Sequence, residues 1–343
     1  MHNTLDNVPL SHEIAPDDPP KTNIISGPLS HDLAVSDGPE TTLERVESYA
    51  SEARSAATRR AYRADLEHFS RWARAAGETV FPTSATTLAL YLTQMADAGA
   101  KYATICRRIA AINGVHKAAG FPSPSGDARV RDVVRGISRV KGTAPKRKDA
   151  LTVDLLRTCL GTLDGSLRGT RDRAILLLCF SGAFRRSELA ALDVADLKFS
   201  RRGLAVTLRR SKTDQEGAGE AVGVPNVALA ALCPVRAVKA WLKASGITSG
   251  AVFRTIVRGK PTEQWISGAA VALLVQRVAQ DAGVSGDFGG HSLRAGFVTS
   301  SAAARVPDRD IARTTRHKSL KILHGYVRRA NLFDDLGLTE IMR

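Results

Sequence analysis

At 343 residues, 43% of them hydrophobic and 5% aromatic, the chain is long enough for two globular domains with their own cores. It holds no apolar run of the roughly eighteen residues that a membrane span needs and no basic-then-apolar signal at its start, so a cytoplasmic place is expected. A net charge of +15 points to a polyanion partner, because each neutralised phosphate releases condensed counterions.

Residues 1–40 run against that charge. Seven acids (Asp6, Glu13, Asp17, Asp18, Asp32, Asp37, Glu40) face one base, Lys21, so the stretch contributes −6 and the rest of the chain carries +21. Rich in Pro, Ser, Asp and Asn and without periodicity, it is expected to be a disordered acidic leader. It is either a solvated tail or a competitor with nucleic acid for the basic surface.

Residues 41–140 read as a small helical domain. Thr41-x-x-Glu44 fits a capping box, with Leu43, Val46 and Ala53 at helical spacing behind it. A second helix spans Thr58 to Ala76 through Tyr62, Leu66, Phe69 and Ala73, stops at Gly77, and carries Arg59, Arg60, Arg63, Arg71 and Arg74 on its other face. A third fits Thr86 to Ala98 before Gly99. The fourth, Lys101 to Ala119, sets Ile105, Ile109, Ile112 and His116 on one stripe with Arg107 and Arg108 elsewhere. A fifth covers Asp127 to Val140. On that stripe His116 reads as core.

Residues 141–150, with Gly142, Pro145 and the bases Lys141, Lys146, Arg147 and Lys148, form a basic linker. Residues 151–343 make the second domain. Thr152 reads as a helix N-cap by residue type, and Arg171 to Phe180 is apolar nearly all round, so that helix is expected to be buried. Leu204, Val206 and Leu208 alternate as in a strand, and Ala221 to Val224 pairs with it across the turn at Gly217 to Gly219. Helices follow at Val235 to Ala244, Ser267 to Ala282, Ser292 to Ala304, Asp308 to Thr315 and Ser319 to Val327. The four cysteines, Cys106, Cys159, Cys179 and Cys233, lack C-x-x-C pairing and are expected to be buried thiols with no disulfide and no zinc.

Three stretches carry chemistry. Arg185-x-x-Glu188 follows the buried helix; Arg210-Ser211-Lys212-Thr213 follows the strand; and His291-x-x-Arg294 precedes His317 and Tyr326. Two guanidiniums, an ammonium, two imidazoles and a phenol suit phosphoryl transfer in which side chains supply the charge stabilisation that magnesium gives elsewhere. The chain has no P-loop, no G-x-S-x-G elbow and no H-E-x-x-H, and Gly217-Ala218-Gly219 lacks the dinucleotide-binding spacing.

This order and spacing resembles the tyrosine site-specific recombinases, the phage integrase family that includes Cre and the Xer proteins, from about Thr41 to Phe333 and most strongly after Leu151. The resemblance implies a mainly α fold. An N-terminal helical core-binding (SAM-like) domain would clamp DNA against a C-terminal mixed α/β catalytic domain with a small antiparallel sheet. It implies Tyr326 as the nucleophile forming a 3′-phosphotyrosine, Arg185 and Arg294 on the phosphate oxygens, and Lys212 as the acid for the leaving hydroxyl. His291 and His317 would bind phosphate or move protons, and Glu188 would orient a neighbouring group. Arg186 competes with Arg185, and the family spacing to Glu188 selects Arg185; Lys198 and Arg210 compete with Lys212. His324 has no counterpart and reads as structural.

The partners implied are duplex DNA with paired half-sites and further copies of the chain, as dimer and tetramer, with no membrane and no cofactor or metal. Arg59, Arg63, Lys101, Arg107, Arg108, Lys146, Arg147 and Lys148 are the candidate backbone contacts, and the tail after Tyr326 would dock on a neighbouring protomer or fold back on its own domain. A topoisomerase, a telomere resolvase or a non-catalytic accessory factor on the same scaffold are the alternative uses. The chain departs from the family at two places where members commonly carry glycine: Ala183 stands two residues before Arg185, and Arg316 directly before His317. Both are positions at which tight turns are open to reshaping.

Overall fold

The computed structural model describes residues 55–144, 147–209 and 219–316. In the first stretch, helices α1 (Ala56–Ala75), α2 (Ala85–Asp97), α3 (Tyr102–Ala118) and α4 (Ala128–Lys141) surround a core of Phe69, Leu88, Tyr91, Leu92, Ile105, Ile112, Val130 and Ile137. Side-chain caps fix two of the starts. Ser84 Oγ accepts from Thr87 N–H at 3.0 Å, and Asp127 Oδ1 accepts from Arg129 N–H at 2.9 Å. His116 is buried as the stripe implied: its Nε2 accepts from Thr83 N–H at 2.9 Å, which leaves Nδ1 to donate to Ile112 O at 2.9 Å.

A second core spans α5 (Val153–Gly161), α6 (Leu167–Ser181), the short α7 (Arg186–Ala190), the sheet β1 (Leu197–Phe199), β2 (Gly203–Leu208) and β3 (Glu220–Pro225), and α8 (Pro234–Ser245). A hairpin, β4 (Arg254–Val257) with β5 (Lys260–Trp265), then leads to α9 (Gly268–Asp281), α10 (Ser292–Ala303) and α11 (Asp308–Thr315). Helix α6 is central, packed against α8 and α10. The sheet is antiparallel in the order β1-β2-β3, with Leu204 opposite Val224 and Val206 opposite Val222, so the alternating residues of β2 turn into the core.

Three features go beyond the sequence pattern. Helix α6 begins at Leu167, four residues before its apolar run. Its charged turn can be buried because Asp172 accepts from Arg171 at 2.7 Å and also pairs with Arg277 of α9. Strand β1 is too short to show alternation. The β4–β5 hairpin closes through Arg258 and Gly259, both with positive φ (49° and 75°), a two-residue turn of the kind whose twist suits hairpins. Among the described residues no helix is long and apolar enough to cross a membrane. The helix expected from Thr41, most of the Gly217 to Gly219 turn, the helix Ser319 to Val327 and the tail lie outside the described residues.

Candidate active site

The site starts at the turn that ends α6. Gly182 caps the helix, Ala183 takes φ 45°, and Phe184 N–H returns to Cys179 O at 3.0 Å, so the chain reverses within two residues. The reversal places Arg185 at the cap of α7. Glu188, one turn on, reaches back to Arg185 N–H (2.9 Å) and also pairs with the Arg185 guanidinium. The spacing of three seen in the sequence is thus a local lock on the arginine.

The second part comes from α10. Its approach, Gly289-Gly290, lies against its neighbours so closely that a Cβ at Gly290 would stand 2.4 Å from Arg186 Cδ. His291 caps the helix and is exposed, whereas Arg294 is 6% exposed. Arg294 Nη1 donates to Ala183 O at 2.6 Å, and Nη2 donates to Thr315 O. Helix α10 therefore holds one guanidinium against the very turn that presents Arg185.

Residues 148–151 are fastened beside α10. Asp149 N–H donates to Asp287 O at 3.0 Å, Lys148 pairs with the Asp287 side chain, and Leu151 N–H donates to Ser292 O at 2.9 Å. Gly296 makes this approach possible, since a Cβ there would stand 1.8 Å from Leu151 O.

Helix α11 supplies the third part. It ends in Arg316, which has φ 55° and a side chain only 2% exposed. Arg316 Nη1 donates to Gly182 O (3.0 Å), Nη2 donates to Glu188 Oε2 (2.8 Å) and Ala183 O (3.3 Å), and the guanidinium lies over the Phe184 ring at 5.3 Å. Ala183 and Arg316, the two departures from glycine, thus both keep the left-handed backbone that glycine adopts without strain.

Burial works to raise the Glu188 carboxyl, but the Arg316 charge and the bonds from Arg185 outweigh it and hold the group below the usual carboxylate range. Burial, reinforced by the Glu188 charge, pushes the Cys179 thiol up to about 12.

Among the sequence candidates, Arg185, Glu188 and Arg294 are brought to one turn, and His291 stands at the head of the helix that carries Arg294. Lys212, His317, Tyr326 and Lys146 lie outside the described residues. Arg63, Lys101 and Arg147 are exposed, and Arg59 is half-buried. Arg107 and Arg108 are both drawn to the buried Asp65, at 2.7 Å and 3.3 Å; Arg108 is turned inward, donating to Tyr91 Oη at 3.0 Å, while Arg107 stays half-exposed. The inward turn of Arg316 is the feature that residue spacing did not reveal. Its only signal is a long cation where a turn favours glycine.

A mainly helical body with small antiparallel sheets, and two guanidiniums gathered on one turn, agree with the tyrosine recombinase class that the residue spacing resembles. Residues 150–332 match the Phage integrase family, and residues 46–120 match its N-terminal SAM-like domain. An integrase/recombinase XerD homologue of Selenomonas ruminantium is 39% identical over 290 residues, covering 83% of this chain and 85% of that protein. The fold resembles XerH site-specific recombinase bound to palindromic difH in a post-cleavage complex (TM-score 0.56, 19% identity, 76% of this chain and 72% of that one). It also resembles a lambda integrase tetramer bound to a Holliday junction (TM-score 0.55, 17% identity, 84% and 76%). The chain belongs to the phage integrase family of tyrosine recombinases.

Proposed function

We propose that this recombinase cleaves and reseals duplex DNA through a covalent 3′-phosphotyrosine on Tyr326, with no metal or ATP in the reaction. Arg185 and Arg294 grip the non-bridging oxygens, Lys212 protonates the leaving 5′-oxygen, and His291 and His317 bind phosphate or take the phenol proton. The phosphotyrosine ester keeps the energy of the broken bond for religation. The observation that carries the reading is the convergence of Arg185 and Arg294 on the Ala183 turn, with Glu188 shared between Arg185 and Arg316.

The domain plan that goes with it is a leader at 1–40, a core-binding domain at 41–140, a basic linker at 141–150 and a catalytic domain at 151–343. The exposed Arg63, Lys101 and Arg147 track the DNA backbone. Copies bind inverted half-sites as dimers and pair into a tetramer, the assembly in which the similarly folded lambda integrase was solved on its junction. The reaction belongs in the cytoplasm.

The test begins with duplexes that the purified protein selects from a random pool, rebuilt as suicide substrates nicked beside the cleavage point. The wild type should trap an SDS-resistant protein–DNA adduct and Tyr326→Phe should not. Equal trapping by both would end the Tyr326 assignment, and binding without trapping by the wild type would indicate an accessory factor. Relaxation of supercoils without strand exchange would indicate a topoisomerase.

A further inference from the structure

We infer that Arg316 is a positioning residue of the cleavage site, acting from inside the protein to hold Glu188, and through it Arg185, in the geometry and charge state that phosphate binding needs. The inference rests on the recombinase reading. At 2% exposure the Arg316 side chain is closed off from solvent, so its influence passes through the groups it touches.

Those groups are the ones that set the first arginine. Glu188 Oε2 accepts at once from Arg185 N–H at 2.9 Å and from Arg316 at 2.8 Å, while Oε1 is paired with the Arg185 guanidinium. One carboxylate shared by two guanidiniums leaves one positive charge over. With Glu188 bound to Arg185 alone, the pair would be neutral and Arg185 would be a weaker anion ligand.

The same side chain is a strut between parts of the chain more than a hundred residues apart. It runs from the end of α11, one residue before His317, to the carbonyls of Gly182 and Ala183, the second of which Arg294 also holds. A glycine at 316 would satisfy the left-handed backbone without strain but would supply neither the strut nor the charge.

That difference makes Arg316→Gly the informative variant, since it suits the turn and removes only the side chain. Arg316→Lys keeps the charge but loses the planar fork. Both are compared with the wild type for single-turnover adduct formation on the nicked duplex, for affinity on the same duplex, and across pH. Among the described residues the charged or titratable groups around Glu188 are Arg185 on its own turn, Arg316 from α11, Arg294 from α10, Cys179 from α6 and Glu220 of β3, the last 3.9 Å from Arg316 Nε. The Cys179 thiol, near 12, stays neutral through the working range.

Arg316→Gly should slow adduct formation by about tenfold or more while affinity changes by less than about threefold, the pattern of a lost transition-state interaction. Its acid limb should also move to higher pH, because Glu188 without Arg316 protonates more readily. Arg316→Lys should recover part of the rate and return the limb toward the wild type. A wild-type rate and limb in Arg316→Gly would overturn the assignment, as would equal slowing in both variants with the limb unmoved, the mark of lost packing alone. Should Arg316→Gly fail to fold, the lysine variant decides by the same criteria. A wild type that binds the duplex and yields no adduct overturns the recombinase reading itself, and this assignment with it.

Discussion

The Arg316 guanidinium donates to the carbonyl of Ala183, and both residues hold the left-handed backbone, with φ of 55° and 45°. That conformation costs a residue with a Cβ about 1–2 kcal/mol. Charge-assisted hydrogen bonds of about 1.5–3 kcal/mol offset it at Arg316, which makes four to oxygens of Gly182, Ala183, Thr314 and Glu188. Ala183 has no such side chain, and its strain is held by the arginines bonded to its carbonyl.

The strain at Ala183 can be measured against an unstrained alanine. Ala174→Gly, at a fully buried position in the middle of α6, should lose about 2 kcal/mol from helix propensity and a buried methyl. Ala183→Gly loses a buried methyl too, but release from φ 45° should bring it within about 0.5 kcal/mol of the wild type. Equilibrium urea unfolding of the two variants checks this. Equal losses would mean that the turn is not strained.

The helical domain carries its own charge switch. Burial raises the Asp65 carboxyl, and the bonds and charges of Arg107 and Arg108 outweigh that and hold it below its ordinary 3.8. A depressed folded value means that the stabilisation is complete above about 3.8 and is lost as pH falls through the lower, folded value. Asp65→Asn should cost about 3 kcal/mol at pH 7, because Arg108 is then left beside Tyr91 and His68 without its counter-charge. The gap between variant and wild type in urea unfolding should shrink toward pH 3, and a gap that is independent of pH would refute the ion-pair account.

Much of this fold is legible because apolar period and caps agree. The helical stripes place α1 to α4 and α8 to α11 within two residues of their ends, with Gly77, Gly99 and Asp127 marking boundaries by residue type. The start of α6 at Leu167 is not legible from its apolar run, and the burial of Asp172 within the helix depends both on Arg171 beside it and on Arg277 of α9, 105 residues later. Strand β1 and the β4–β5 hairpin escape for want of alternation. In the site, the Arg185–Glu188 lock can be read from a spacing of three, whereas the inward course of Arg294 and Arg316 depends on carbonyls at 182 and 183, more than a hundred residues away.

Two glycines near the site should respond very differently to a methyl group. In Gly296→Ala the new Cβ meets the Leu151 carbonyl, backbone that is itself fixed by its bond to Ser292, so α10 and the Leu151 backbone must part. A loss of about 3 kcal/mol is expected. In Gly290→Ala the obstacle is Cδ of Arg186, an exposed side chain that can swing aside, and the loss should stay under about 1 kcal/mol. Thermal melts of the two variants test the ranking, and a reversal would mean that the close approach of α10 to Leu151 is wrong.

Thiol labelling gives a direct view of the turn itself. Cys179 is fully buried, its Sγ lies 3.4 Å from Phe184 O, and burial followed by the Glu188 charge holds its thiol near 12. The thiolate is the reactive form, so Cys179 should resist a maleimide at pH 8, as should Cys159, whose thiol burial also raises. Cys233, where burial works to raise the thiol but backbone hydrogen bonds pull it down, should be protected by its burial alone. Partly exposed Cys106 on α3 should label first, and all four should label in urea. Mass spectrometry of digests assigns the adducts, and rapid native labelling of Cys179 would show that the Ala183 turn opens in solution. The same measurement on Arg316→Gly separates a slowed but intact site, in which Cys179 stays protected, from one whose turn has come apart.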